Sequence, residues 1–535
     1  MSMPSAQPDG TPAGPLMWAA SWRATLFLVL GLMLLRLAYL AWWCPYTLIE
    51  DEAHYWEWSR RLDWAYYSKG PGVAWLIAGT VSAAGESEFG VRLGAPIAAA
   101  ATSLALASLA GRLVGDGRAR FVAAALLSLV PVFQSTSLLL TIDGPYTACW
   151  AVACLLAWRA LESPTRGAAL CWWSLCGVAL AAGFMFKYTI LLLIPGLAVA
   201  AWTHRGSVRL GKGQLGGLAL ACVTSLLGLV PVVIWNAQRE WPTVRHLLGH
   251  LGLPGGDVAP TQGGGSGYHY SPKWTAEFLG SQLALAGPML VLVYLGWKSL
   301  NDRPTQRRFA LWCGMPLLLF YLAVSVVAEP EGNWAIATYL TWTALAAAAV
   351  ARGWAGVMGT SKPGPIRTAL VATVVVGLVT GLGMLRLDLL AQSPWVGPRV
   401  PVSRLLHADT MAAHVQRVLD ERRAQGEHPF VVSQFYGRAS QMAFYLPGHP
   451  TVYCSGSLMG GRKNQYDLWP ETSLVSPELA GRPAVLLGDA GQDWSWGFDS
   501  VRGLGKLEGD TKRNREMFVG ARYEYSGRPP AGGPR

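Results

Sequence analysis

The chain reads as a multi-span α-helical membrane protein of about 11 transmembrane helices, with amphipathic juxtamembrane helices in its first outer loop and a small α/β domain at its C-terminal end. Three observations predict this. Of 535 residues, 52% are hydrophobic and only 14% are charged, where a soluble chain carries nearer a quarter charged. Apolar runs of about 20 residues, the length a helix needs to cross a bilayer, recur through the first three quarters. After Asp388 that pattern stops and short strand-like runs replace it.

Residues 1–22 form a Pro/Gly-rich polar tail, expected to be disordered and cytoplasmic. The apolar run after it is too long for a signal-peptide core and lacks a small-residue cleavage pattern, so it is read as a retained first span at 24–43. Further spans are predicted at 91–111, 119–138, 145–161, 168–186, 188–203, 214–235, 276–297, 309–328, 335–351 and 366–387. The loops around Arg112–Arg120, Arg159–Arg166, Arg205–Lys212, Lys298–Arg308 and Arg352–Arg367 are basic and fall on one side, which the positive-inside rule makes cytoplasmic. These loops account for most of the net charge of +11, and no basic cluster suits nucleic acid.

The opposite side receives the acidic 44–89 loop, the 139–144 turn, the 236–275 loop, the 329–334 turn and the C-terminal tail. The 254–272 segment, rich in Gly, Pro, Tyr and Ser, reads as a mobile loop. The division is therefore a transmembrane domain over 23–387 and a soluble extracytoplasmic domain over 388–535. In the latter, Pro429–Ser433, Thr451–Cys454 and Pro483–Leu487 look like buried strands and Thr410–Arg423 looks helical; the last ten residues read as frayed. Six of the eight cysteines lie in apolar runs, where the thiol is a small hydrophobe. Cys44 and Cys454 face outward, and whether they pair is open. No repeat of fixed period is present.

Five places on the outer side hold residues that apolar packing does not need. Glu50-Asp51-Glu52 follows directly on the first span, where adjacent carboxylates are costly and suggest a site for a base or a cation. The bland reading is a solvated loop with Asp51 as N-cap, leading into a surface helix with Tyr55, Trp58 and Leu62 on one face. Tyr66-Tyr67-Ser68-Lys69-Gly70-Pro71 turns a lysine toward the interface, either to bind or only to snorkel. Thr141-Ile142-Asp143-Gly144-Pro145 is a tight turn that could serve as nothing more than a cap. Lys187-Tyr188 has almost no loop around it, and a lysine so placed faces a partner or a cavity. Glu329 to Trp334 is the fifth. Arg36, inside the first span, suits either an anion or a pairing between helices. Acids and lysines at one membrane face fit a lipid-borne anion and a reaction on it. The runner-up, a transporter or lipid flippase, predicts instead paired charges at the bilayer midplane and inverted repeats.

In these same residues, Asp51-Glu52-Ala53-His54-Tyr55-Trp56, Tyr67 to Pro71, Thr141 to Pro145, Phe186-Lys187-Tyr188-Thr189 and Gly332-Asn333-Trp334, the chain resembles the bacterial glycosyltransferase family 39 and aminoarabinose-transferase-like group, polyprenyl-phosphate-sugar-dependent enzymes of the GT-C fold. The resemblance covers about 24–350. It implies an inverting transferase in the cell inner membrane, taking a sugar from a polyprenyl-phosphate donor to a lipid A, envelope glycan, lipid or protein acceptor on the periplasmic side. It implies Asp51 as the catalytic carboxylate with Glu52 assisting, and Lys69 and Lys187 on the donor phosphate with help from Arg60 or Arg92. Tyr55, Tyr67, Asp143, Tyr188 and Asn333 then belong to the substrate site. This chain has Ser68-Lys69-Gly70-Pro71 where many relatives have a Pro-Pro pair, and Thr-Ile-Asp where Thr-Pro-Asp is common. No cofactor is firmly implied. There is no His/Cys spacing for a metal, although Asp/Glu clusters can hold a divalent cation.

Overall fold

Each expected apolar run becomes helical, with breaks where the local chemistry requires them. The computed structural model describes residues 20–203, 211–250, 253–257, 270–359, 364–395, 397, 402–510 and 515–524. The expectations for the tail up to residue 19, for 205–210, for 258–269 and for the last ten residues lie outside the described residues. Among the described residues, six helices are long and apolar enough to cross a membrane: Trp22–Trp42, Glu88–Val114, Arg166–Phe186, Gly213–Ala237, Pro304–Val324 and Pro365–Leu385. A seventh span results if Pro272–Ala286 and Met289–Ser299, bent by 80°, count as one. The remaining expected spans are helical but shorter, broken or more polar. The run 119–138 divides into Arg118–Leu129 and Pro131–Thr136, because Pro131 forces Val130 into an extended conformation. The run 188–203 starts as a 3-10 turn, Tyr188–Leu192, before the helix Leu193–Thr203. Phe27, Leu34, Leu35, Val379 and Leu382 are all at least 60% exposed, as side chains solvated by lipid would be.

Two sets of connections gather at opposite ends of the helices. At one end, Arg112 pairs with Glu162 at 2.9 Å and Arg352 with Asp302 at 2.5 Å, the Arg303 guanidinium lies against Gly115, and Gly117 lies against the backbone of Ala20. These are the basic loops. At the other end the first-loop helix, Glu50–Ser59, is anchored by Glu52. Its carboxylate accepts from the Ile49 N–H (3.1 Å), from Arg92 Nε and Nη2 (2.9 and 2.7 Å) and from the Leu140 N–H (2.9 Å). Arg92 spends its other donors on the carbonyls of Tyr46 and Thr47, both at 2.8 Å. Every strong bond of this buried ion pair is satisfied, which is the condition for such a pair to be tolerated at all.

The C-terminal region folds around a five-stranded sheet of order β2-β1-β3-β5-β4, made of β1 (Phe430–Ser433), β2 (Val452–Cys454), β3 (Ala484–Asp489), β4 (Phe498–Lys506) and β5 (Arg515–Tyr523). β1 runs parallel to β2 and β3, and the last three strands are antiparallel. The helix Ala408–Ala424 buries Met411, Val415 and Leu419. This region is not a separate bead. Its helix Tyr436–Tyr445 packs on Glu50–Ser59, with Trp56 edge-on to Phe444 at 4.9 Å, His54 Nδ1 2.9 Å from Ser440 Oγ, and Gln441 donating to the Leu48 carbonyl at 2.7 Å. One hydrophobic core contains Trp56 and Trp58 together with Met411, Met442, Val431 and Val485. Cys44 and Cys454 are both free thiols, the first beside Arg92 and the second accepting from Asn464.

Candidate active site

A cavity of about 440 Å³ opens between the first-loop helix, the hairpin ends of the bundle and the C-terminal region. Its wall includes Asp51, Tyr55, Tyr67, Lys69, Asp143, Lys187, Tyr188 and Asn333, eight residues singled out from separate stretches of sequence. The local chemistry explains how they meet. The helix begins at Glu50 with Ile49 at the N-cap position, so Asp51 is in the first turn rather than capping it. One residue on, Glu52 points inward and Asp51 points to the cavity, about 100° round a helix of 3.6 residues per turn. Gly70 lies against the Met185 backbone, where a Cβ would run into the carbonyl oxygen. That close approach seats the Lys69 turn on the end of Arg166–Phe186, beside Lys187. Here glycine does what a second proline could not.

Asp143 is the hinge of the polar network. Its Oδ1 accepts from Lys187 Nζ at 2.8 Å and its Oδ2 from Asn333 Nδ2 at 2.8 Å, joining three helix ends. The Lys187 ammonium also lies 5.4 Å from the centre of the Tyr146 ring. By contrast, Asp51 and Lys69 make no ion pair among the described residues. Asp51 is accessible to water inside the cavity, but protein confines that water. Desolvation therefore raises its carboxyl pKa, with Lys69 opposing the rise and Glu50 adding to it. Burial first, and then the neighbouring Lys187 charge, bring Lys69 down to about 8, with Asp51 opposing them. Two histidines of the helix Pro242–His250 complete that wall, their Nε2 atoms 3.1 Å apart. Desolvation pushes His246 down to about 2 and His250 to about 4, so both are neutral and add no charge. Tyr67 is fixed by donating its hydroxyl to Asp257 at 2.6 Å.

Three expected site residues are elsewhere. Glu52 and Arg92 do not line the cavity: they are buried against each other, with 0% and 1% side-chain exposure. Their expected place in the chemistry is corrected to the anchoring of the first loop, since neither has an open hydrogen-bonding direction. Arg60 points away as well, to Glu57 at 3.1 Å and the His449 carbonyl at 2.9 Å. Arg36 faces a small separate cleft with Thr102 and Thr136. Sequence reading had His54 and Trp334 within its motifs but gave them no role; it missed Tyr436, Arg462, Asn464 and Gln465, all in the cavity wall from the C-terminal region, along with His246, His250 and Tyr321. The hydropathy pattern carries no signal for these. The His246 and His250 spacing of four residues on one helix face was the only legible hint. Among the described residues no group of three His, Cys, Asp or Glu side chains is placed to hold a metal ion.

A family model described as dolichyl-phosphate-mannose-protein mannosyltransferase matches residues 68–235, the segment from the Lys69 turn past Asp143 and Lys187. The solved apo structure of ArnT from Cupriavidus metallidurans superposes with a TM-score of 0.64 over 92% of this chain and 97% of that one, at 14% identity. The chain therefore has the fold of that structure, and over residues 68–235 it is similar to this mannosyltransferase family. Two relatives align in sequence. A lipid A galacturonosyltransferase, RgtD, of Rhizobium johnstonii is 28% identical over 61% of this chain and 65% of its own length. An undecaprenyl phosphate-α-4-amino-4-deoxy-L-arabinose arabinosyl transferase of Pseudomonas paraeruginosa is 27% identical over 51% of each. The chain thus spans 65% and 51% of the length of these two relatives. The ArnT structure bound to undecaprenyl phosphate has the same fold, with a TM-score of 0.61 at 16% identity. Several apolar helices and membrane-protein relatives make this a multi-pass membrane protein.

Proposed function

We propose that this protein is an inverting glycosyltransferase of the inner membrane, moving a sugar from a polyprenyl-phosphate carrier to an acceptor on the periplasmic face. The observation that carries the reading is the meeting of an open carboxylate, Asp51, an open ammonium, Lys69, and the Asp143–Lys187 pair in one cavity. Relatives named as undecaprenyl-phosphate-dependent and lipid A transferases support the donor class and make an envelope glycolipid the first acceptor to test. On this reading the chain has eleven spans with its N-terminus in the cytoplasm, and both the cavity and the C-terminal domain lie outside. The basic loops that converge at the far end from the cavity support that orientation.

The chemistry follows from the charges. Lys69, with Lys187 behind it, stabilises the carrier phosphate as the anomeric C–O bond breaks, an interaction strengthened by poor hydration. Asp51, its pKa raised, takes the proton of an acceptor hydroxyl as that oxygen bonds to the anomeric carbon from the opposite face. One displacement inverts the configuration. For a phosphate acceptor no base is needed, and Asp51 orients it. Asp143 and Asn333 hold Lys187 in place, while Tyr55, Tyr67 and Tyr188 line the sugar pocket. The test is mass spectrometry of envelope lipids and glycans from cells with and without the gene, complemented by the Asp51→Asn variant. Loss of one sugar residue, not restored by that variant, is expected. An unchanged envelope, or full restoration by Asp51→Asn, would refute it.

A further inference from the structure

Besides Lys69, the cavity contains a second cation with no carboxylate partner among the described residues. Arg462 lines the wall from the segment between β2 and the 3-10 turn Gln465–Asp467. Its Nη2 donates to the Tyr436 hydroxyl at 3.2 Å, and its guanidinium lies 5.5 Å from the centre of that ring. Among the described residues no carboxylate pairs with it, although Asp51 and Glu331 line the same cavity. Its charge is nevertheless felt across the site: it helps to hold the Asp51 carboxyl down and to depress Lys69, His246 and His250. Asn464 and Gln465 stand next to it in the wall, and Gln465 Oε1 accepts from the Tyr67 N–H at 2.7 Å, tying this segment to the Lys69 turn.

Holding two cations and two carboxylates apart in about 440 Å³ is unfavourable unless a ligand matches them. Lys69 is a compact charge beside Lys187, suited to one phosphate. Arg462 offers a planar fork from the C-terminal region's part of the wall, the geometry that reads a carboxylate or phosphate with two parallel bonds. We propose that Arg462, oriented by Tyr436, is a second anion subsite, and that the enzyme selects a substrate bearing an anionic group besides the carrier phosphate: a phosphate on the acceptor or a carboxylate on the transferred sugar. The inference rests on the transferase reading above, and assigns the C-terminal region a direct part in substrate choice.

The test uses the full-length protein in detergent, with Trp58 and Trp334 of the cavity wall as fluorescent reporters. Three probes are titrated: undecaprenyl phosphate, lipid A with and without its phosphates, and free galacturonate. Wild type, Lys69→Ala, Arg462→Gln and Arg462→Lys are compared. Arg462→Gln is expected to weaken either phosphorylated lipid A or galacturonate by about tenfold or more, and undecaprenyl phosphate by less than about twofold. Lys69→Ala is expected to do the reverse, and Arg462→Lys to recover part of the loss. Which probe responds identifies the source of the anion. Equal loss of undecaprenyl phosphate binding in both variants would merge the two subsites and overturn the proposal. So would unchanged binding of lipid A and galacturonate in Arg462→Gln, or wild-type binding of the carrier alone. Wild type that fails to bind undecaprenyl phosphate would instead overturn the transferase reading itself, and this inference with it.

Discussion

Asp51 and Glu52 are neighbours with the same charge, yet they belong to opposite kinds of site. Glu52 faces the interior and is saturated: four hydrogen bonds, an arginine partner and no exposure. Asp51 faces the cavity and has no ion partner among the described residues. The same division separates Arg92, closed around Glu52, from Lys69, open beside Lys187. Reactive potential resides in the group whose bonding capacity is unspent, whereas a saturated ion pair only fixes geometry. The family motif joins both kinds in one short stretch, and sequence alone cannot sort them.

Substitutions that exchange one kind of loss for the other test this contrast most severely. Asp51→Asn should lower transfer to a hydroxyl acceptor by about 10²–10⁴-fold while leaving thermal unfolding in detergent unchanged. Near-native turnover would remove the base. Glu52→Gln should do the opposite, leaving Arg92 buried without its counter-charge at a cost of about 3–5 kcal/mol, read as a lower melting temperature, with the surviving folded fraction still binding carrier.

Lys69 sharpens the comparison through pH. With its pKa held at about 8 in the empty site, the cationic form prevails below that value. Affinity for undecaprenyl phosphate should therefore be highest below pH 8 and fall as the pH rises through it, and Lys69→Arg should flatten the profile. A smaller effect is expected of Gly70→Ala. Its new methyl meets the Met185 carbonyl, and either the turn or the helix end must shift, costing about 1–3 kcal/mol and weakening carrier binding through a displaced Lys69. Arg60→Ala should matter least, changing stability by less than about 1 kcal/mol and activity not at all, because Arg60 is partly exposed and Glu57 keeps Arg61 at 2.6 Å.

How far sequence reading reached follows from the same physics. Lys69, Asp143 and Lys187 were legible because each stands at a chain reversal next to an apolar run, and Lys187 above all has no polar company there, although snorkelling or capping could have explained Lys69 and Asp143. The strands β1, β2 and β3 were legible as short apolar runs. The exposed edge strand Phe498–Lys506 was not: it carries two glycines and three charged residues, Asp499, Arg502 and Lys506, as edges that resist pairing do. Arg462 and Tyr436 were invisible for another reason. They lie in a polar loop and at a helix start, and only three-dimensional packing of Tyr436–Tyr445 on Glu50–Ser59 brings them over the cavity.

That packing has a consequence for how the polypeptide is made. Trp56 and His54, threaded early, have no complete surroundings until Phe444 and Ser440 emerge almost four hundred residues later. A chain stopped at the end of its last long apolar helix would present a half-built floor with an aromatic seam bare to the outside. The helix that carries Asp51 therefore cannot reach its final seat before synthesis is nearly complete, and the cavity forms only with the last quarter of the polypeptide.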